Sequence, residues 1–483
     1  MTFPQDKQYI NGEWLTGRSD KTIENKNPYT EDTIQIIQSA NEEDLDDAYQ
    51  AALQAQPQWA NSAPSKRRNR FHKLLHVLKD EKEVIIDWLV KESGSTVAKA
   101  QAELDSARLV IEESMTYPTR MNGQILPSEN ENKENYVYRK AKGVVGIIGP
   151  WNFPFHLAMR SIAPALATGN TAVLKPASDT PVSAGLLFGY LFEKAGFPAG
   201  VLNVVVGRGS EIGDAFVEHP VPKLISFTGS TEVGRHIAEI AGKHLKETTL
   251  ELGGNNAMLV LEDADVEAAV DAAIFGKFLH QGQICMSLNR ILVHENVHDE
   301  FVEQFIQRTN ELPTGDPADE NVIVGPIINQ DQLNHLTEQV DQAREEGATV
   351  ETGGSATGAI FAPTVLTNVN AKMTVAKTEL FGPVAPIIKV KSEQEAIDIA
   401  NDTPYGLSGS VFTTDRFRGM DVARKINTGM IHVNDQSVND EAHVAFGGEK
   451  ASGLGRFGGE WALDKFTTFQ WVGVQSGRRE FPF

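Results

Sequence analysis

The sequence predicts an α/β protein made of two parallel-sheet domains plus a protruding β element, and three observations predict it. From Gly143 to Phe227, short apolar strands alternate with helical segments. A second series of the same kind runs from Ala257 to about Val433. Strand–helix alternation on this period marks βαβ units, which form a parallel sheet with helices on both faces. The preceding Gln124–Lys142 segment is different: it is polar and alternating, with Tyr136, Tyr138 and a Pro127-Ser128-Glu129-Asn130 cluster, and reads as a hairpin projecting from the body.

The elements follow in order. An extended opening, Gln8 to Trp14, precedes a helix-rich stretch. Ala40 to Trp59 is expected as one amphipathic helix. Pro64 to Lys91 is expected as another, with Phe71, Leu74, Leu75, Leu78, Val84, Ile85, Trp88 and Leu89 at spacings near three and four. In the first series the strands are Val144–Ile148, Thr171–Leu174, Val201–Val206 and Lys223–Phe227, with helices near Phe155–Ala167 and Pro181–Ala195. In the second they include Arg290–Val293, Ile387–Val390 and Met430–Val433. A Gly/Ser-rich loop, Gly447 to Gly459, leads to a short helix, Trp461–Lys465, and an extended tail, Thr467–Val474.

Composition bounds the function. A chain of 483 residues with 41% apolar and 23% charged residues can bury sizeable cores, which excludes disorder as its main state. Its net charge of −21 repels phosphate backbones and anionic lipid surfaces, so neither nucleic acid nor membrane is expected as a partner. No secretory signal opens the chain and no apolar run approaches the roughly 20 residues that span a bilayer, so a cytoplasmic protein is expected. Cys285 is the one cysteine, which excludes an intrachain disulfide and a thiolate-rich metal site. No metal is expected.

Several residues stand where chemistry is displayed. Cys285 sits in a loop, His280 to Ser287, between a helix with apolar Val266, Ala269, Val270, Ala273 and Ile274 and the strand from Arg290. Such a thiol is either a small buried hydrophobe or a nucleophile, and its neighbours decide. Glu251 ends the Thr248–Leu250 strand just before Gly253 and Gly254: a general base, or an ordinary capping carboxylate. Asn152, between Pro150 and Pro154 after a strand, is an oxyanion donor or an Asx-turn residue. For a phosphate, Gly207, Gly209 and Gly213 are spaced one residue too widely for the usual dinucleotide fingerprint. The Phe227-to-Arg235 segment is better suited, because a strand there runs through Gly229 and Ser230 into a helix that begins with Gly234 in its first turn. His72 and His76 lack the glutamate of a zinc-protease motif, and no P-loop pattern is present.

Taken together, Pro150-Trp151-Asn152-Phe153-Pro154, Leu174-Lys175-Pro176-Ala177, Phe227-Thr228-Gly229-Ser230, Glu251-Leu252-Gly253-Gly254, Gly282-Gln283-Ile284-Cys285, Glu379-Leu380-Phe381-Gly382-Pro383 and Phe446-Gly447-Gly448 resemble the NAD(P)-dependent aldehyde dehydrogenase superfamily, in its order and over nearly the whole chain. The Val438–Phe446 and Ser452–Glu460 segments resemble its benzaldehyde/vanillin dehydrogenase branch. The resemblance implies two Rossmann-like domains: residues 1–123 with 143–251 for the cofactor and 252–450 for catalysis, with 124–142 and 467–483 as the oligomerisation element of a homodimer or homotetramer. It implies Cys285 as nucleophile, Asn152 as oxyanion donor and Glu251 as base, acting on an aldehyde through a thiohemiacetal and a thioester. It places Trp151, Lys175, Ser178, Gly229, Ser230, Gly234, Glu379 and Phe381 at the dinucleotide. Many NAD-preferring members have a glutamate at the position of Ser178, so its absence here, with Arg208 nearby, implies that NADP is tolerated as well as NAD.

The aldehyde pocket is expected from Phe153, His156, Leu157 and Arg160, with Ile284, Met286 and Phe446, a lining suited to a flat ring. An aliphatic specificity of the succinate semialdehyde or betaine aldehyde kind is the alternative. The first of these requires a cation for the distal carboxylate, which only Arg160 could supply. A non-catalytic dinucleotide-binding protein is disfavoured by the joint presence of Cys285, Glu251 and Asn152.

Overall fold

The apolar run Val144–Ile148 is buried along nearly its whole length, as a strand covered on both faces must be, and it forms the centre of the first sheet. In the computed structural model, which describes residues 3–483, parallel strands Thr171–Lys175 and Leu202–Val204 lie to one side of it. Leu224–Thr228 and Glu247–Glu251 lie parallel on the other. The sheet therefore reverses its winding between Val144–Ile148 and Leu224–Thr228. At such a switch point, the carboxyl ends of neighbouring strands open a crevice for ligands. Antiparallel strands close both edges: Gln8–Ile10 with Glu13–Leu15, and Gly453–Leu454 against the end of Glu247–Glu251.

Only four residues separate Glu251 from Asn256–Val260, which starts a second sheet. Leu288–His294, Val384–Val390 and Thr364–Val369 extend it in parallel on one side, and Gly409–Phe412 with His432–Val433 on the other. Thr349–Thr352 adds an antiparallel edge. The carboxyl edge of the first sheet and the amino edge of Asn256–Val260 are thus joined by one short connection, Leu252–Asn255, and the site lies along this seam.

The structure corrects several expected boundaries. The long helix from Pro64 breaks into Pro64–Asp80 and Lys82–Ser93 at Glu81, which leaves helical geometry at φ −100°, ψ 12°. No Gly or Pro announces the break. The opening also contains a hairpin the periodicity missed, Thr22–Lys26 paired with Thr33–Gln38, whose strands are too short and polar to stand out. Val201–Val206 contracts to Leu202–Val204 and Met430–Val433 to His432–Val433, and Pro181–Ala195 begins with a wide turn, Val182–Leu186, before Leu187–Lys194.

The protruding element is a three-stranded sheet. Thr467–Gln475 pairs antiparallel with Lys133–Ala141 over nine residues, and Gln124–Leu126 lines the other side. It carries exposed Ile125, Tyr138, Phe469 and Trp471. Among the described residues, no helix is long and apolar enough to cross a membrane, and no group of three or more His, Cys, Asp or Glu could hold a metal ion.

Candidate active site

Cys285 is half-buried in the loop that connects the Val266–Phe278 helix to Leu288–His294. The loop is held in an unusual path. His280, Gln281 and Gly282 are successive left-handed residues, with φ of 48°, 55° and 71°. Such backbone costs of order 1–3 kcal/mol for each non-glycine residue and persists only where the surroundings impose it. Here they do: the Asn256 amide donates to the carbonyls of Cys285 (2.7 Å) and Ser287 (2.8 Å), Ser437 Oγ donates to Met286 (2.7 Å), and Gln283 Oε1 accepts from Ile328 N–H (3.0 Å).

Asn152 is reached from the first sheet. Its Nδ2 donates to the Gln283 carbonyl at 3.0 Å and its Oδ1 accepts from Phe153 N–H at 2.9 Å, so the amide is fixed two residues from Cys285 with one of its two N–H donors uncommitted. The turn hangs from a buried pair that sequence reasoning missed. Lys99 Nζ donates to the Asn152 carbonyl (2.7 Å) and to Glu103 (2.5 Å), while the other Glu103 oxygen accepts the N–H groups of Phe155 (2.8 Å) and His156 (3.0 Å) at the start of the Pro154–Ala167 helix. Both side chains are essentially inaccessible. An i, i+4 Lys–Glu pair reads in sequence as a solvated helix face, which is why it escaped notice.

Glu251 is buried, at 3% exposure, and neither carboxylate oxygen has a hydrogen-bond partner. Burial pushes it up to about 8, against the opposing pull of Arg160 and Arg456. The Cys285 thiol is pushed up to about 12, first by burial and then by the carboxylates of Glu379 and Glu251. The thiol is therefore protonated at neutral pH, beside a carboxyl group with free oxygens.

Cys285, Asn152 and Glu251 all line one cleft of about 1020 Å³, which Trp151, Lys175, Gly229, Ser230, Glu379 and Phe381 also line. Ser230 caps the Thr231–Lys243 helix through Val233 N–H. Glu379 accepts from Gly254 N–H at 2.9 Å and burial pushes it up to about 7. Lys175 Nζ has a single long contact, to the Pro176 carbonyl at 3.3 Å, and burial pushes it down to about 8. Trp151 and Phe381 meet edge to face, 5.4 Å between centroids. Two expected residues stand elsewhere. Gly234 does not line the cleft; it gives Leu252 room to pack against the helix. Ser178 lies in an adjoining groove with Arg208. Conversely, Gln332 and His335 line the cleft unannounced, and Gln332 donates to the carbonyls of Leu380 (3.1 Å) and Phe381 (3.0 Å), bracing that loop.

The expected aldehyde-pocket residues lie outside the cleft. Ile284, Met286 and Phe446 are buried in one apolar cluster against which Cys285 packs, and Leu157 is buried on the Pro154–Ala167 helix. Phe153 turns instead to Lys99, whose ammonium lies 4.0 Å from the ring centroid, and to the His280 ring. His156 and Arg160 converge on Asp440.

A nucleotide-sized cleft at a topological switch point, lined by a thiol, a carboxyl group and an amide, is the arrangement of a two-sheet, dinucleotide-dependent enzyme. The chain belongs to the aldehyde dehydrogenase family, whose model matches residues 14–472, and it is an aldehyde-oxidising oxidoreductase. It is 51% identical to a benzaldehyde dehydrogenase of Bacillus subtilis, covering 99% of both chains. It is 49% identical to a vanillin dehydrogenase of Corynebacterium glutamicum, covering 97% of both. Among solved structures, a NAD-dependent benzaldehyde dehydrogenase from Corynebacterium glutamicum superposes with a TM-score of 0.92 at 45% identity, covering 100% of this chain and 99% of that one.

Proposed function

We propose that this protein oxidises aromatic aldehydes of the benzaldehyde and vanillin kind to carboxylic acids, with NAD(P)+ as oxidant and Cys285 as nucleophile. The observation that carries the reading is that Cys285, Asn152 and the unpaired Glu251 carboxyl line one cleft, with Cys285 packed against the apolar side chains of Ile284, Met286 and Phe446. The substrate class is that of the relatives' names.

The cleft residues fit a dinucleotide. The buried Lys175 ammonium has only one long contact and can serve a ribose hydroxyl; the start of the Thr231–Lys243 helix at Ser230 offers N–H groups to a phosphate; Glu379 faces the same space. When bound, the nicotinamide supplies the acceptor for two electrons and a hydrogen from the substrate carbon. The protein's own groups do the rest. As Sγ of Cys285 bonds to the aldehyde carbon, its proton passes to Glu251 in its ionised form, and the carbonyl oxygen becomes an oxyanion held by the free Asn152 N–H and the Cys285 backbone N–H. Oxidation leaves a thioester on Cys285. Glu251, once it has released its proton to solvent, takes one from a water whose oxygen bonds to the thioester carbon. The C–S bond breaks, the acid departs and the thiol is regenerated.

Ser178 in place of a carboxylate, in one groove with Arg208, supports acceptance of NADP beside NAD. The exposed apolar side chains on the three-stranded sheet support a homodimer, or a pair of dimers, that covers them. The lone thiol and acidic surface suit the reducing cytoplasm. The test is NAD(P)H formation by absorbance with benzaldehyde, vanillin, succinate semialdehyde and betaine aldehyde, for the wild type and Cys285→Ala. Turnover of the aromatic aldehydes that vanishes in the variant is expected. A clear preference for an aliphatic aldehyde would leave the mechanism standing and remove the aromatic reading.

A further inference from the structure

Beyond the catalytic trio, on the Pro154–Ala167 helix, His156 and Arg160 are one turn apart and both meet Asp440. His156 Nε2 lies 2.7 Å from Asp440 Oδ2, and Arg160 Nη2 donates to the same oxygen. All three are buried or nearly so: His156 and Arg160 are 5% exposed, and the Asp440 side chain 17%. The Arg160 guanidinium lies over the Phe446 ring, 3.8 Å from its centroid. Gly447, next in the chain, has its Cβ direction 3.0 Å from Glu251 Oε1, so the cluster sits immediately beside the base. None of its members lines the nucleotide cleft.

Two features of the cluster bear on substrate choice. First, its charges cancel. Burial works to raise the Asp440 carboxyl, but the charge of Arg160 and the hydrogen bond from His156 outweigh it and hold the group well below the usual carboxylate range, so Asp440 is ionised beside Arg160. Second, donors are left over. The N–H groups at Arg160 Nε and Nη1 are buried without hydrogen-bond partners. Unmatched donors of this kind are costly, and a ligand oxygen can satisfy them. Left alone, a buried arginine with free donors beside Glu251 would be a carboxylate receptor. With Asp440 in place, a substrate carboxylate arriving there meets a like charge already engaged with the guanidinium.

Resting on the aromatic-aldehyde reading, we propose that Asp440 is the residue that sets charge selectivity beside Glu251: by neutralising Arg160 it admits uncharged aldehydes and rejects those carrying a distal carboxylate. The rejection is a built-in repulsive element, which is how binding sites discriminate against a competitor that otherwise fits.

The experiment compares kcat/KM for benzaldehyde and 4-carboxybenzaldehyde, with succinate semialdehyde as a second anionic aldehyde, in the wild type, Asp440→Asn and the double variant Asp440→Asn/Arg160→Gln. Each ratio is taken on one preparation, so the folded fraction cancels, and NADH binding by fluorescence checks the cleft. The wild type is expected to favour benzaldehyde. Asp440→Asn is expected to raise the anionic-to-neutral ratio at least tenfold, and the double variant to lose that gain. An unchanged ratio in Asp440→Asn, or a gain that survives in the double variant, overturns the inference. Equal wild-type use of benzaldehyde and its 4-carboxy analogue overturns it while leaving the aromatic reading intact. A wild type that does not oxidise benzaldehyde removes both.

Discussion

Replacing Glu251 with glutamine separates its proposed role as base from its energetic cost. The folded chain keeps the Glu251 proton up to about pH 8, whereas an exposed glutamate releases it near 4.5. The wild type therefore loses stability relative to a non-titrating variant as pH rises from 4.5 through 8, and the loss is complete above that. At roughly 1.4 kcal/mol per tenfold, the whole window is worth about 5 kcal/mol, of which about 2–3 kcal/mol falls between pH 6 and 9. Glu251→Gln should thus melt closer to the wild type at pH 6 and clearly above it at pH 9, followed by scanning fluorimetry on paired samples. Turnover should move the opposite way. Loss of a positioned base costs about 10²- to 10⁴-fold in kcat, measured as NADH formation at saturating aldehyde. In the wild type kcat should rise with pH to a plateau past about 8, as the carboxyl group ionises. That inflection should be missing from the variant. Its persistence in Glu251→Gln, or a melting difference that does not widen from pH 6 to 9, would refute the assignment of Glu251 as the buried base.

Other perturbations test the surrounding parts. Asn152→Ala removes the amide beside Cys285 and should lower kcat by about 10²- to 10³-fold while NADH still binds, as fluorescence titration would report. Lys99→Met strands Glu103 without its cation and should destabilise the chain by about 3–5 kcal/mol, seen as a lower denaturation midpoint, with kcat falling as Asn152 loses its anchor. Ser178→Glu puts a carboxylate in the groove with Arg208 and should lower the NADP-to-NAD ratio of kcat/KM by roughly tenfold, about 1.4 kcal/mol; an unchanged ratio removes Ser178 from cofactor choice. Ile125→Lys charges an exposed apolar position on the outermost strand of the protruding sheet and should shift a dimer or tetramer to monomer in size-exclusion chromatography with light scattering. A monomeric wild type would remove the oligomer proposal.

What the sequence determined by itself were the features encoded locally. Apolar runs such as Val144–Ile148 can form only buried strands, and their alternation with helices dictates parallel sheets. The motifs around Asn152, Glu251, Cys285 and Glu379 were legible because each is a short stretch of unusual residues at the end of a strand or in a loop. Two kinds of fact needed the tertiary structure. The break at Glu81 has no local signal, since two apolar stripes choosing different neighbours decide it. The environment of an ionisable group is set by what folds over it, so neither the buried Lys99–Glu103 pair nor the unpaired Glu251 could be told from surface charges in the sequence. Arg160 is the clearest case. As a residue type it is a receptor for a carboxylate, and only the return of the chain 280 residues later, bringing Asp440 against it, cancels that charge. Contacts between residues so distant in sequence exist only once the whole core has closed, because no local segment holds both partners.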